Sequence, residues 1–316
     1  MIKICSLFSG IGGIDLAFQQ AGFQVVWANE IDKYAANTYV HNLGSFALTV
    51  GDISKVEFSE IPEFDVLVAG FPCQPFSTAG KLKGFNDDRG ELFFQIAKVV
   101  EVKRPQVIFL ENVANLLEHD EGKSFLTVYN ALAPLGYAFR YQVLEPYDYG
   151  NIPQGRSRIF IVGFKDEEKC ASFKFPDKTQ LTQSLAQLFN RSEKHSECYY
   201  YDESNKYFEE LKRIVKQKDC VYRIFDSGVV KHPYYNCPAL TAYMGNCFER
   251  VPIILDDYGI RRLTPYECLK LQGFPDDYKF APGTPMHKAY KQVGNSVCVP
   301  VIKRIAEKIL VTLKCE

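Results

Sequence analysis

The chain has 316 residues, with 37 Lys+Arg against 38 Asp+Glu, a formal net charge of -1 and 47% hydrophobic residues. This supports a globular protein of one large or two modest domains and excludes one coated in basic charge, so any nucleic-acid contact must come from local patches. No window approaches roughly 18 uninterrupted apolar residues, and the start MIKICSLFSGIGG has no basic leader before an apolar stretch, so neither a membrane span nor Sec-type secretion is expected.

The first half alternates short apolar runs with longer amphipathic ones, as strands joined by crossover helices do in a parallel sheet. Residues 3–8 read as a first strand and 13–21 as a helix; residues 25–28 then read as a strand and 34–41 as a helix. Strands follow at 64–69 and 107–110 with helical spacing at 92–102 between them, and 158–163 reads as a strand running back into the same layer. The expected fold is therefore an open α/β sheet. From about Cys170 to Asp257 the buried-strand runs stop and a tyrosine-rich, charge-balanced stretch follows, which marks a second, smaller domain. Residues 261–316 carry ten Lys/Arg against five Asp/Glu, the one clear basic bias. The ten cysteines are scattered from Cys5 to Cys315 with no C-x-x-C pair, and the histidines lack ligand spacing; reduced thiols in a cytosolic protein, without a metal site, are expected.

Phe8-Ser9-Gly10-Ile11-Gly12-Gly13 follows the first strand and opens a helix, where glycines let backbone approach a ligand and helix amides face it. Its spacing is not the G-x-G-x-x-G of dinucleotide enzymes. Glu30 at the end of the second strand is placed to accept from ribose hydroxyls, and Asp52, followed by Ile53, suits an exocyclic amine. Two carboxylates without a phosphate-binding lysine fit an adenosine ligand that has no phosphates. The bland reading of the same acids is surface caps. In Gly70-Phe71-Pro72-Cys73-Gln74-Pro75, a cysteine stands between two prolines that fix the local backbone. Mere core filling would not need that setting, whereas Cys5 and Cys268 read as small core hydrophobes.

The chain resembles the DNA (cytosine-5) methyltransferases. The resemblance rests, in the family's order, on Phe8 to Gly13, Asn29-Glu30, Asp52-Ile53, Pro72-Cys73-Gln74, Glu111-Asn112-Val113, Gln154 to Arg158, Arg262 to Glu267 with Leu271 to Pro275, and Gly294 to Val297. It implies an open Rossmann-like mixed sheet of the S-adenosylmethionine-dependent methyltransferase type, with a smaller irregular or β target-recognition domain. Residues 1–172 plus 292–316 would form the catalytic domain and 173–291 the recognition domain and hinge.

The implied reaction is methylation of cytosine C5 in a short duplex DNA sequence, with S-adenosylhomocysteine as product. Cytosine C5 is a poor nucleophile until a thiolate adds at C6, a role that falls to Cys73. Glu111 would supply a proton or hydrogen bond at N3, oriented by Asn112, and Arg158 with Arg156 would contact the C2 carbonyl. Phe8, Gly10, Ile11, Gly12 and Gly13 would line the cofactor; Glu30 would take the ribose, and Asp52 with Ile53 the adenine. Pro72, Leu92, Asn295, Ser296 and Val297 would complete that pocket. Ile31 stands where many relatives have an aromatic residue against the adenine. The polar, glycine-containing segment 74–90 reads as a mobile loop over DNA, with Gln74, Ser77, Lys81, Lys83 and Arg89 as contacts. Target recognition is expected within 222–250, with Arg223 and Tyr243 as DNA-binding residues. Ala239-Leu240 followed by Thr241 departs from the Thr-Leu pair common in the family.

The implied partner is duplex DNA with one cytosine flipped out, met by a monomer in the bacterial cytosol; a cognate restriction endonuclease would act separately. Two rivals share parts of this pattern: a transfer-RNA cytosine methyltransferase on the same scaffold, and a catalytically silent DNA-binding relative.

Overall fold

In the computed structural model, the described residues are 1–71, 91–225, 228–229 and 234–315. They divide into two compact units, the first comprising Met1–Leu144, Ser157–Pro176 and Ile302–Glu316, the second Glu145–Arg156 and Asp177–Val301.

The first unit runs β1 (Lys3–Leu7), α1 (Gly13–Gln20), β2 (Gln24–Glu30), α2 (Lys33–Leu43), β3 (Leu48–Val50), β4 (Val66–Gly70), α3 (Glu91–Lys103), β5 (Val107–Val113), α4 (Lys123–Leu132) and β6 (Ala138–Leu144). The second unit claims α5 (Pro146–Tyr149) and β7 (Gln154–Gly155), after which β8 (Arg158–Phe164) and α6 (Glu167–Ser172) return to the first. Among the described residues the main sheet has seven strands in the order β3-β2-β1-β4-β5-β8-β6. The first five are mutually parallel, and β8 lies antiparallel to both β5 and β6, so the sheet is mixed. Continuous apolar runs in β4 and β5 suit strands covered on both faces. Cys5, Leu67, Ile96, Val100, Ile108 and Leu110 are buried together in that core. Burial of each such aliphatic side chain contributes about 1.5–3 kcal/mol.

The second unit is built from short pieces, with α7 (Leu185–Leu188), α8 (Phe208–Ile214), β9 (Ile224–Phe225), β10 (Gly228–Val229), β11 (Cys237–Pro238), β12 (Ile253–Leu255), β13 (Ile260–Arg262), α9 (Pro265–Leu271) and α10 (Met286–Asn295). The helix α11 (Val299–Lys314) then starts in this unit and ends in the first. Fully buried Arg261 holds the second unit's core by pairing with Asp256 at 2.6 Å and with both oxygens of Glu267 at 2.8 Å. Glu267 also closes a capping box with Thr264, and Pro265 occupies the first helical turn, so the 262–267 motif serves to start α9.

The units differ from the expected partition at Glu145–Arg156 and at 292–301, which go with the second unit, and at 173–176, which go with the first. The cause for the first segment is visible in its side chains: Gln154 donates to the Leu271 carbonyl, and Arg156 to three carbonyls of that unit.

Candidate active site

Glu111 lies on β5, directly opposite Gly70 at the end of β4. A side chain at 70 would begin 3.4 Å from the Glu111 carboxylate and 3.3 Å from Ile14, so glycine there leaves the carboxyl its space. In the antiparallel β5–β8 pair, Val113 faces Arg158. Alternate residues share a face of a strand, so Glu111 and Arg158 are diagonal neighbours on one face. Arg158 Nε stands 3.0 Å from Glu111 Oε1, with side chains 18% and 11% exposed. Arg158 Nη1 donates to the Ser157 carbonyl, which fixes the guanidinium from its other side. The result is a nearly buried carboxyl held in one orientation by a neighbouring cation.

Asn112, next along β5, donates from Nδ2 to the Phe71 carbonyl at 3.1 Å, and its Oδ1 accepts from Val113 N at 2.8 Å. Phe71 is buried in the core, so the chain is pinned two residues before Cys73. Pro72, Cys73, Gln74, Ser77, Lys81, Lys83 and Arg89, with the expected loop 74–90, lie outside the described residues.

Arg156 requires a correction. Instead of standing free to meet a base carbonyl, it is buried and donates to the carbonyls of Leu240, Gly294 and Ser296 at 2.7, 3.1 and 2.6 Å. A guanidinium spent on three backbone acceptors organises its own unit, and its sequence proximity to Arg158 does not make it a second base contact.

Of the residues expected to line the cofactor, Phe8, Gly10, Ile11, Gly12 and Gly13 follow β1, and Glu30 and Ile31 stand at the carboxyl end of β2. Gly10 and Gly12 take left-handed backbone conformations, with φ of +56° and +82°. At Gly10 a side chain would point into open space; at Gly12 it would start 2.4 Å from Leu43, so only glycine fits there without displacement. Phe8 also has a positive φ of 56°, a strained choice for an aromatic residue at the mouth of this turn. Gly13 begins α1. Glu30 accepts from the amides of Gly10 and Asp32, both at 2.7 Å. Burial pushes its carboxyl up, opposed by those amides.

The Asn29 side chain donates to the carbonyls of Thr49 and Gly51, which fastens the end of β2 to the segment leading into Asp52. Asp52 caps the following turn through the amide and hydroxyl of Ser54, which hold its carboxyl below the usual range. Ile11 and Ile53 are buried, with Ile53 in the core cluster, whereas Ile31 is 63% exposed beside Glu30. Leu92, in the first turn of α3, packs partly buried against the same core.

Other expected residues belong to the second unit. Asn295 ends α10, with Ser296 and buried Val297 directly after it. Gly294 in that motif has a packing reason, since a side chain there would start 2.4 Å from the Thr241 backbone. Tyr243 is 55% exposed, and the Arg250 guanidinium stacks over both Tyr243 and Phe225. The Arg223 guanidinium also lies over Phe225, at 5.2 Å. Such pairs pre-orient cations beside aromatic faces.

A model of the C-5 cytosine-specific DNA methylases matches residues 2–311. The chain belongs to this family. Its activity is C5 methylation of cytosine in DNA, as a DNA (cytosine-5-)-methyltransferase. Among curated relatives, it is 46% identical over 312 residues to the type II methyltransferase M.Bsp6I of Bacillus sp. (strain RFL6), with 98% of each chain covered. It is 38% identical over 315 residues to M.HhaI of Haemophilus parahaemolyticus, with 98% of this chain and 94% of the relative covered. Among solved structures, a Dnmt2 methyltransferase of S. pombe matches with a TM-score of 0.76 at 21% identity, covering both chains fully, a likeness that shows the fold alone. The family and its methyltransferase fold imply use of S-adenosylmethionine. Among the described residues no helix is long and apolar enough to cross a membrane.

Proposed function

We propose that the protein methylates a cytosine within a short duplex sequence as the methyltransferase of a bacterial restriction-modification system, acting as a monomer in the cytosol, with any cognate endonuclease working separately. The relatives named type II methyltransferases, covered nearly end to end, support that setting. The observation that carries the chemistry is the Glu111–Arg158 pair, a shielded carboxyl held by a cation at the strand ends of a methyltransferase sheet.

The target cytosine must leave the helix, because C5 and C6 cannot be reached within stacked DNA. Cys73 adds as thiolate to C6, while Glu111 gives a proton or hydrogen bond to N3 and so relieves charge that builds in the ring. Arg158 sets the Glu111 carboxyl and faces the C2 carbonyl. Loss of the C5 proton and elimination of the Cys73 thiolate complete the cycle.

S-adenosylmethionine, when bound, supplies an electrophilic methyl group on its sulfonium and leaves as S-adenosylhomocysteine. The residues present fit it: the open left-handed Gly10 gives a ligand access to backbone, Glu30 braces that turn, and the acids Glu30 and Asp52 suit a ligand that carries no phosphate. Glu30 takes the ribose hydroxyls, Asp52 the adenine amine, and exposed Ile31 an adenine face. Arg223 and Tyr243 contact DNA.

Incubation with methyl-labelled S-adenosylmethionine and either long duplex DNA or transfer RNA, followed by conversion-based mapping of methylated cytosines, tests this reading. The expected result is label in duplex DNA, at one cytosine of a recurring short sequence. Label in transfer RNA alone, or DNA binding without transfer, would overturn it.

A further inference from the structure

Beneath the glycine turn lies a carboxylate that no part of the mechanism uses. Asp15, in the first turn of α1, is fully buried, and its partners are hydroxyls: Ser6 Oγ donates to Oδ2 at 2.8 Å and Tyr39 Oη to Oδ1 at 3.0 Å. Ser9, inside the turn, donates in its own right to Ser6 Oγ at 2.9 Å. A line of hydrogen bonds thus runs from the turn through the end of β1 to Asp15 and on to α2. The Tyr39 ring also abuts the turn directly, since a side chain at Gly12 would begin 3.0 Å from Tyr39 Cδ2. Ser9 N donates to the Asn29 carbonyl and Gly12 N to the Ser9 carbonyl, so a displacement of Ser9 would carry the whole turn with it.

We propose that Asp15 is a positioning residue for the cofactor turn, setting the backbone of residues 9–12 through Ser6, Ser9 and Tyr39 so that it receives S-adenosylmethionine. This rests on the reading of the turn as the cofactor site. A core-filling role accounts poorly for the cluster, because a buried carboxylate whose partners are neutral hydroxyls costs stability that an apolar residue would not. Burial raises the Asp15 carboxyl to about 6, against the two hydroxyls and its own amide. The Cys5 thiol on β1, pushed well up by burial and by the charge of Asp15, stays neutral and adds no repulsion, and Tyr39 is the titratable group that meets Asp15 from α2. A folded value above the unfolded one means that the ionised group opposes folding above about pH 6, and the penalty vanishes as pH falls below the ordinary carboxyl value.

Asp15→Asn separates the two roles. The amide keeps the shape but brings donors to hydroxyls that now donate to Asp15, so one link of the line must reverse or break. Calorimetric titration of the whole protein with S-adenosylmethionine should show binding weakened about tenfold or more. The kcat at saturating cofactor should stay within about threefold, and the Tm of the ligand-free variant at pH 7.5 should rise by about 2 °C or more. A merely structural role cannot move Tm up and cofactor affinity down together. Tyr39→Phe and Ser9→Ala, milder cuts in the same line, should each weaken binding about threefold, and they carry the test if Asp15→Asn does not fold. Cofactor affinities within twofold of wild type in these variants, or a loss of affinity that tracks a lowered Tm, would overturn the inference while leaving the cofactor site standing. Failure of the wild-type protein to bind S-adenosylmethionine would overturn the cofactor reading and this inference with it.

Discussion

Replacement of Glu111 by Gln is expected to lower kcat about 10²–10⁴-fold, the range that a positioned acid or base contributes. Gln is close in size to Glu and still offers an oxygen to Arg158, so the space beside Gly70 stays filled and the β5–β8 contact survives. Its amide can still hydrogen-bond N3 but cannot transfer a proton to it, and that transfer is what the loss measures. The loss should therefore appear in single-turnover methyl transfer with DNA and cofactor affinities within about threefold of wild type. An unaltered single-turnover rate would remove Glu111 from the chemistry and leave it a partner of Arg158 only.

The larger effect is expected at Cys73. A serine hydroxyl ionises far less readily than a thiol and is a much weaker nucleophile near neutral pH, so Cys73→Ser should reduce methyl transfer by at least about 10⁴-fold. DNA and S-adenosylmethionine should still bind, because neither partner is held by the sulfur. Appreciable turnover would transfer the nucleophile's role elsewhere. The other described cysteines near the core make poor substitutes: Cys5 and Cys268 are sealed from solvent, and burial pushes both thiols well up.

How much was legible in the sequence depends on how local the signal is. The strands β1, β2, β4, β5 and β8 announce themselves as short apolar runs, and the structure extends β5 by three residues to carry Glu111 and Asn112. The edge strand β6 was not legible, because Arg140, Tyr141 and Gln142 break any apolar run on a partly exposed strand. Three-residue β3 is too short to show a period. The pairing of Glu111 with Arg158 follows from antiparallel register that no local pattern states. Arg156 shows the converse: its motif suggests chemistry, but its partners lie 84 to 140 residues away and could not be read from neighbours. Asp15 left one local trace, an acid beside Ile14, Ala17 and Phe18 on a buried helix face. Without Ser6 and Tyr39 beside it, that acid reads only as a favourable charge in a first helical turn.

Fluorine at C5 tests for the covalent bond between Cys73 and C6 of a flipped cytosine, since it prevents loss of the proton that normally precedes release. Duplex DNA containing 5-fluorocytosine at the mapped target, incubated with the wild-type protein and S-adenosylmethionine, should give a denaturation-resistant complex whose intact mass equals protein plus DNA strand plus one methyl group less the thiol hydrogen, with the linkage at Cys73. A duplex that binds in the presence of cofactor but yields no covalent species, or a linkage at any other residue, would contradict it.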